Sequence, residues 1–253
     1  MNLRAQFGRL FRYQSRVYTW LEPLHRRALP RKTTIDLPTE RHGEREAGYD
    51  VVAGRLGPTS VVLSFGVGCE TTFEESILRR YGCRVEAFDP TDQAARHVAT
   101  RDFPASFTFH QVGLGASDGE AQFQDIHYPS DEYAAVTLTN LHGHHVAVQT
   151  MAVRRLPTLL DELGVDRVDV LKMDIEGSEF EAWDDVLALA DRIDQVIVEF
   201  HPWILNWGGR IPLLVGRGGW KRTRRAIDDL RGRGFEIAAI SGRGTEFLFV
   251  RAR

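Results

Sequence analysis

Cysteine is nearly absent: Cys69 and Cys83 are the only two in 253 residues. Two cannot build a disulfide framework, and they lack the paired spacing of a metal site, so reduced thiols and a cytoplasmic setting are expected. Lysine is almost as scarce, with Lys32, Lys172 and Lys221 among 32 basic residues. That bias points to a GC-rich bacterial genome and carries no structural consequence. Positive charge is not in excess either. The formal net charge is −3, which argues against a global basic field for nucleic acid. No apolar run approaches the roughly 18 residues that span a bilayer. The opening residues also lack the unbroken apolar stretch of a secretory signal. There is no internal repeat.

What is present is enough apolar material, 43%, for one substantial core. Residues 1–28 place Leu3, Phe7, Leu10, Phe11, Val17, Tyr18 and Leu21 at helical spacing among arginines. A helix docked on the core or on a second copy of the chain is expected there. Residues 29–58 are rich in proline, glycine, threonine and charge. They read as a linker with one short strand near 49–52. The division is therefore an N-terminal helical extension and linker over 1–58 and one larger domain over 59–253.

Within that domain, apolar runs alternate with helical patterns. Strands are expected at 61–67, 84–89, 107–114, 121–126, 168–175 and 195–200. Helices are expected at 72–81, from Thr91 for about ten residues, and at 156–163, 178–189 and 221–233. Residues 235–240 and 246–250 read as a closing hairpin. The alternation predicts an α/β fold with a parallel sheet, to which the hairpin adds an antiparallel strand. Residues 127–150 and 201–220 read as long loops, the first rich in histidine and the second in tryptophan and glycine.

The stretch 61–90, VVLSFGVGCETTFEESILRRYGCRVEAFDP, is strand, glycine turn, helix, and a second strand ending on a carboxylate. Such a unit holds a nucleoside-type cofactor at the carboxyl edge of a sheet. A nicotinamide enzyme wants G-x-G-x-x-G, so that a helix N-terminus can bind pyrophosphate. Here Gly66 and Gly68 are followed by Glu70 and Thr71, and the third glycine is missing. Glu70, Glu74 and Glu75 crowd the helix start and would repel a diphosphate. They suit a cofactor with an ammonium and a sulfonium but no phosphate, namely S-adenosylmethionine. Asp89, 21 residues after Gly68, is placed to accept hydrogen bonds from both ribose hydroxyls.

A second stretch, 168–183, reads VDVLKMDIEGSEFEAW. Together the two resemble the FkbM family of S-adenosylmethionine-dependent methyltransferases. The family's strand ending Lys-hydrophobic-Asp-hydrophobic-Glu-Gly-x-Glu is matched by Lys172, Asp174, Glu176, Gly177 and Glu179. Its G-L-G-x-x-x-G element is matched at Gly113, Gly115 and Gly119. The Ser64–Gly68 and Ala87–Pro90 segments are closer to the methyltransferase-like branch. The resemblance implies a Rossmann-like class I methyltransferase fold, with a seven-stranded, mostly parallel sheet, helices on both faces and a C-terminal hairpin. It also implies methyl transfer to a hydroxyl of a sugar, oligosaccharide or glycosylated natural product. It puts Gly115, Asp118 and Asp174 beside the cofactor. Ser64 occupies a position where many class I enzymes carry an acid that contacts the methionine moiety, and Glu70 is the residue to take over that contact.

An alcohol is a poor nucleophile, so a base or a metal is needed. Asp174 and Glu199 end adjacent core strands. By similarity to catechol O-methyltransferase they are candidate ligands for Mg²⁺. Histidine supplies the base candidates: His144 and His145 in the long loop, and His201 directly after a core strand. Lys172 reads as buried and paired rather than as a base. Trp203, Trp207 and Trp220 offer flat faces for a sugar or for core packing. The competing readings are a non-catalytic binding protein of the same fold, an RNA methyltransferase and, last, a nicotinamide oxidoreductase. The expected partner is a small-molecule or oligosaccharide acceptor, with no nucleic acid, no membrane span and a homodimer through the N-terminal helix.

Overall fold

The structure, a computed structural model, describes residues 26–44, 47–127, 134–137, 148–202 and 217–252. The expected N-terminal helix lies outside them. Residues 29–58, expected as a linker with one strand, contain an antiparallel hairpin of β1 (Thr39–His42) and β2 (Tyr49–Val52). Tyr49, Val51 and Val52 are at most 2% exposed, so the hairpin is part of the core.

The central sheet is built from β3 (Val61–Phe65), β4 (Arg84–Phe88), β5 (Phe107–His110), β10 (Val168–Met173), β11 (Ile193–Glu199), β12 (Phe235–Ile240) and β13 (Glu246–Arg251). Their order is β12-β13-β11-β10-β3-β4-β5. The five strands from β11 to β5 are parallel, and β13 runs antiparallel between β11 and β12. The parallel strands are near-continuous Val, Ile, Leu and Phe because both of their faces are covered. On one face lie the hairpin and α1 (Thr72–Tyr81). There Val51, Phe73 and Ile77 pack with Val62, Val170, Ile197 and Leu248. On the other lie α3 (Leu156–Glu162), α4 (Glu179–Ala188) and α5 (Arg217–Gly232), through Leu159, Phe180, Trp183, Trp220 and Ile227. α2 (Asp92–Ala99) follows β4. This is the expected seven-stranded, mostly parallel sheet with helices on both faces.

One expected strand divides. β5 stops at His110, where the Val112 amide bonds back to the His110 carbonyl at 2.9 Å in a three-residue turn. β6 (Gly113–Leu114) then joins a second sheet with β7 (Gly119–His127), β8 (Ala134–Thr137) and β9 (Val148–Arg154), in the order β6-β9-β7-β8. A Cβ on Gly113 would lie 2.9 Å from the Phe123 ring, which reaches across β9 and packs on the bare glycine.

Alternation along the strands decides where the polar residues fall. Ser64, Lys172, Gln195, Glu199 and Glu246 share the face that the hairpin covers. Gln195 uses its Oε1 to accept the Val52 amide at 2.7 Å, pinning the hairpin to β11.

Candidate active site

The parallel strands end together, and the loops beyond them form the site. After β3 the chain turns at Gly66, whose φ is +81° and whose added Cβ would collide with the Asp174 backbone carbonyl. Only glycine lets this turn lie against the loop after β10. Gly68 also has positive φ, +56°, but a Cβ there meets nothing within 4 Å. The first glycine serves packing. The second borders open space near the start of α1.

Asp89 follows β4 and is 7% exposed. Its Oδ2 accepts the Gly68 amide at 2.9 Å, and its Oδ1 accepts the Thr91 amide and hydroxyl at 2.9 and 2.6 Å. An ionised carboxylate has about four acceptor positions. One remains, on Oδ2, which suits one ribose hydroxyl rather than two.

The three acids at the start of α1 are not equivalent. Glu74 is 1% exposed and accepts the Ser64 hydroxyl at 2.5 Å. Glu75 accepts the Thr71 hydroxyl at 2.9 Å and lies 3.9 Å from Arg101. Glu70 is exposed and accepts the Thr72 amide. Glu70 is thus the acid left open to solvent, while Ser64 is fully buried and bonded inward. Gly115 and Asp118 are bonded to the segment that leads into α3. The Gly115 amide donates to the Arg154 carbonyl, and Asp118 accepts the Arg155 amide and the Thr158 hydroxyl at 2.9 Å each. Those bonds, the amide foremost, hold the Asp118 carboxyl below its usual range. Asp118 anchors the start of α3, and Gly115 extends the pairing of β6 with β9.

The 172–179 motif builds the opposite wall. Lys172, 3% exposed, donates to the Gly66 carbonyl at 2.9 Å and lies 4.8 Å above the Tyr49 ring. It ties the two motifs together. Glu176 has φ +53°, the one non-glycine positive φ among the described residues, a conformation that costs about 1 kcal/mol. It persists because the loop is held from below. Glu179 Oε1 accepts the Ile175 and Gly177 amides at 3.3 and 3.1 Å and meets His201 Nδ1 at 2.7 Å. An oxygen that accepts two amides is an acceptor for the third group too, so His201 carries its proton on Nδ1. Nε2 then faces Asp174 Oδ1 at 3.6 Å and Glu176 Oε2 at 3.5 Å.

Asp174 is oriented from the other side. Its Oδ2 accepts the Tyr49 hydroxyl at 2.6 Å, so the N-terminal hairpin reaches into the site. One ligand atom each of Asp174, Glu199 and His201 lies within 4.8 Å of the others. Burial, then the Asp174 charge, pushes the Glu199 carboxyl up to about 8. Glu246 pairs with Glu199 across β11 and β13. Burial pushes it up to about 7, against the opposing pull of Arg41. Burial lowers the His201 imidazole, but Glu176, Glu179 and Asp174 together outweigh it and hold the ring well above its usual value. Burial first, then Asp174, holds the Tyr49 phenol well above its usual range.

Of the residues expected from sequence, the structure gathers Asp174, Glu199 and His201, and brings Gly66, Gly68 and Asp89 together at the neighbouring strand ends. His144, His145, Trp203 and Trp207 lie outside the described residues. Trp220 is 1% exposed and packs in the core. Two participants were not read from sequence: Tyr49 and Glu246. Tyr49 sat in the short segment YDVV with nothing to show that it would meet a carboxylate 125 positions later.

Comparisons with known proteins identify the family. The methyltransferase FkbM domain matches residues 50–237. A human protein described as probable methyltransferase-like protein 24 is 26% identical over 148 residues, 58% of this chain. Its rat counterpart is 25% identical over the same length. The chain spans about a third, 33%, of the length of these curated relatives. Among solved structures, a Methanococcus jannaschii fibrillarin pre-rRNA processing protein overlays with a TM-score of 0.43 at 9% identity, covering 88% of this chain and 86% of its own. An Aeropyrum pernix fibrillarin with natively bound S-adenosylmethionine gives 0.41 at 12%, covering 88% and 85%. Overlays this loose carry no argument. The domain match takes in most of the chain, including the Gly66 turn, Asp89 and the 172–179 motif. The chain belongs to the FkbM family of S-adenosylmethionine-dependent methyltransferases, on the class I methyltransferase fold.

Proposed function

We propose that the chain transfers the methyl group of S-adenosylmethionine to a hydroxyl of a sugar, an oligosaccharide or a glycosylated natural product. The observation that carries this reading is the juxtaposition of two sites at one sheet edge. A cofactor cradle of Gly68, Glu70 and Asp89 stands beside a cluster of titratable groups, Asp174, Glu199 and His201. The residues fit the cofactor. Gly68 leaves open the space a side chain would fill, Asp89 keeps one acceptor position for a ribose hydroxyl, and exposed Glu70 suits a cationic group. The acceptor class rests on the family resemblance.

Methyl transfer is an in-line displacement, so positioning supplies much of the rate. A bond forms from the acceptor oxygen to the methyl carbon as the carbon–sulfur bond breaks, and the hydroxyl proton must go to a base. Without a metal, Glu199 suits that role, because a carboxyl near 8 exchanges its proton close to neutral pH. Tyr49 and Glu179 hold Asp174 and His201 so that the cluster does not have to reorganise. Mg²⁺ bound at Asp174 and Glu199 would add positive charge next to the acceptor oxygen and lower its pKa. The two carboxylates fit such an ion, but the imidazole beside them does not favour magnesium.

The test is transfer of an isotope-labelled methyl group from S-adenosylmethionine to a panel of glycosides, with RNA and catechol as comparison acceptors. An alkali-stable methyl ether on a glycoside is the expected product. Label on RNA alone would replace this reading with an RNA methyltransferase.

A further inference from the structure

We infer that Asp174, Glu199 and His201 form a buttressed site for one divalent transition-metal ion of the manganese, iron, cobalt and zinc class, in preference to magnesium or calcium. Their ligand atoms lie within 4.8 Å of one another, and His201 Nε2 is 3.6 Å from Asp174 Oδ1. An ion bonded at about 2.1 Å to each would hold neighbouring ligands about 3.0–3.4 Å apart and opposite ones about 4.2 Å apart. The cluster needs to contract only slightly to close on it.

The groups behind the ligands point the same way. Metal-binding histidines almost always donate their second ring N–H to a carboxylate or carbonyl, which fixes the tautomer and aims the other nitrogen. His201 does this with Glu179, a residue 0% exposed, at 2.7 Å. Glu179 is in turn locked by two loop amides. Ligating carboxylates are themselves held by hydrogen bonds, and Tyr49, 2% exposed, holds Asp174 Oδ2 so that Oδ1 is the oxygen turned to His201. Two buried groups on different elements therefore aim two donor atoms toward one point. An imidazole with two carboxylates suits ions of intermediate softness. Mg²⁺ prefers an all-oxygen octahedron and keeps most of its water.

As the means of activating the acceptor, this inference rests on the proposed methyl transfer; as a binding site it does not. The experiment separates the two. The full chain, stripped with EDTA and desalted, is titrated with Mn²⁺ while the free-ion electron paramagnetic resonance signal is read. Mg²⁺ is added as competitor, and S-adenosylmethionine binding is measured by calorimetry in the same samples. One Mn²⁺ per chain is expected, bound at least ten-fold tighter than Mg²⁺. His201→Gln should lose at least ten-fold in Mn²⁺ affinity while Mg²⁺ affinity changes little. If that variant does not fold, Tyr49→Phe, which keeps the buried ring, should lose several-fold. Equal affinity for both ions, or no bound Mn²⁺, would overturn the inference; cofactor binding alongside either result would leave the proposed function standing. Mn²⁺ binding without cofactor binding would support the inference and remove the proposed function.

Discussion

At the residue scale, two glycines in one turn have opposite duties. Gly66→Ala forces a methyl into the Asp174 carbonyl at a φ that disfavours alanine. It should cost on the order of 2–4 kcal/mol, read as a lowered urea midpoint. Gly68→Ala meets open space, so its cost should be only the strain of positive φ, about 1 kcal/mol. In the proposed cradle its methyl takes up cofactor space, so S-adenosylmethionine affinity should fall at least ten-fold while the fold stands. A Gly68→Ala protein that binds the cofactor normally would remove Gly68 from the site.

The acids have a sign that can be checked. Glu199 and Glu246 hold their protons up to about 8 and about 7, against about 4.3 in an unfolded chain. The folded state therefore binds more protons between these values. Their contribution is fully present below about pH 4 and is lost as pH rises through 7 and 8. His201, raised well above its usual value, acts in the same direction. In metal-free protein, urea midpoints should fall from pH 5 to pH 8.5, by on the order of 2 kcal/mol in stability. Glu199→Gln should flatten that slope. An unchanged slope would mean that Glu199 ionises at an ordinary value.

At the scale of elements, two junctions set the geometry. α2 begins at Thr91, whose hydroxyl accepts the Ala94 amide as a helix cap and donates to Asp89. Thr91→Ala should cost about 1 kcal/mol of stability and weaken cofactor binding by freeing Asp89 to turn. The β1–β2 hairpin carries Tyr49 and hangs on the Gln195 bond to the Val52 amide. Gln195→Leu leaves that amide unpartnered in the core and should cost about 1–3 kcal/mol by denaturation.

The hairpin is also where the sequence pattern is weakest, giving a strand near 49–52 but not its partner β1. The strands of the central sheet were legible because a parallel strand covered on both faces must be a continuous apolar run, as VVLSF and VDVLKM are. The TERH and YDVV segments carry no such run, because β1 pairs only with β2 and their cover comes from other elements. The break between β5 and β6 was read through: the apolar residues of FTFHQVGL stand at 107 and 109 and then at 112 and 114, a one-residue slip of phase that a three-residue turn produces. Asp174, Glu199 and His201 could be picked out because they stand at strand ends. Which of their neighbours hold them could not, since Tyr49 and Glu246 meet them through long-range pairing.

At the scale of the molecule, a charge of −3 and two cysteines left the activity open. The cofactor was inferred from a missing glycine and a row of acids. The structure narrows that inference: Glu74 is buried, Glu75 is paired, and Glu70 is the acid exposed at the helix start. No helix among the described residues is long and apolar enough to cross a membrane. The central claim is that S-adenosylmethionine binds between the Gly68 turn and Asp89. Calorimetric titration of the full chain with S-adenosylmethionine tests it most directly. One site per chain is predicted, weakened at least ten-fold by Asp89→Asn. No heat of binding at millimolar cofactor, or an Asp89→Asn isotherm that matches the wild type, would contradict it.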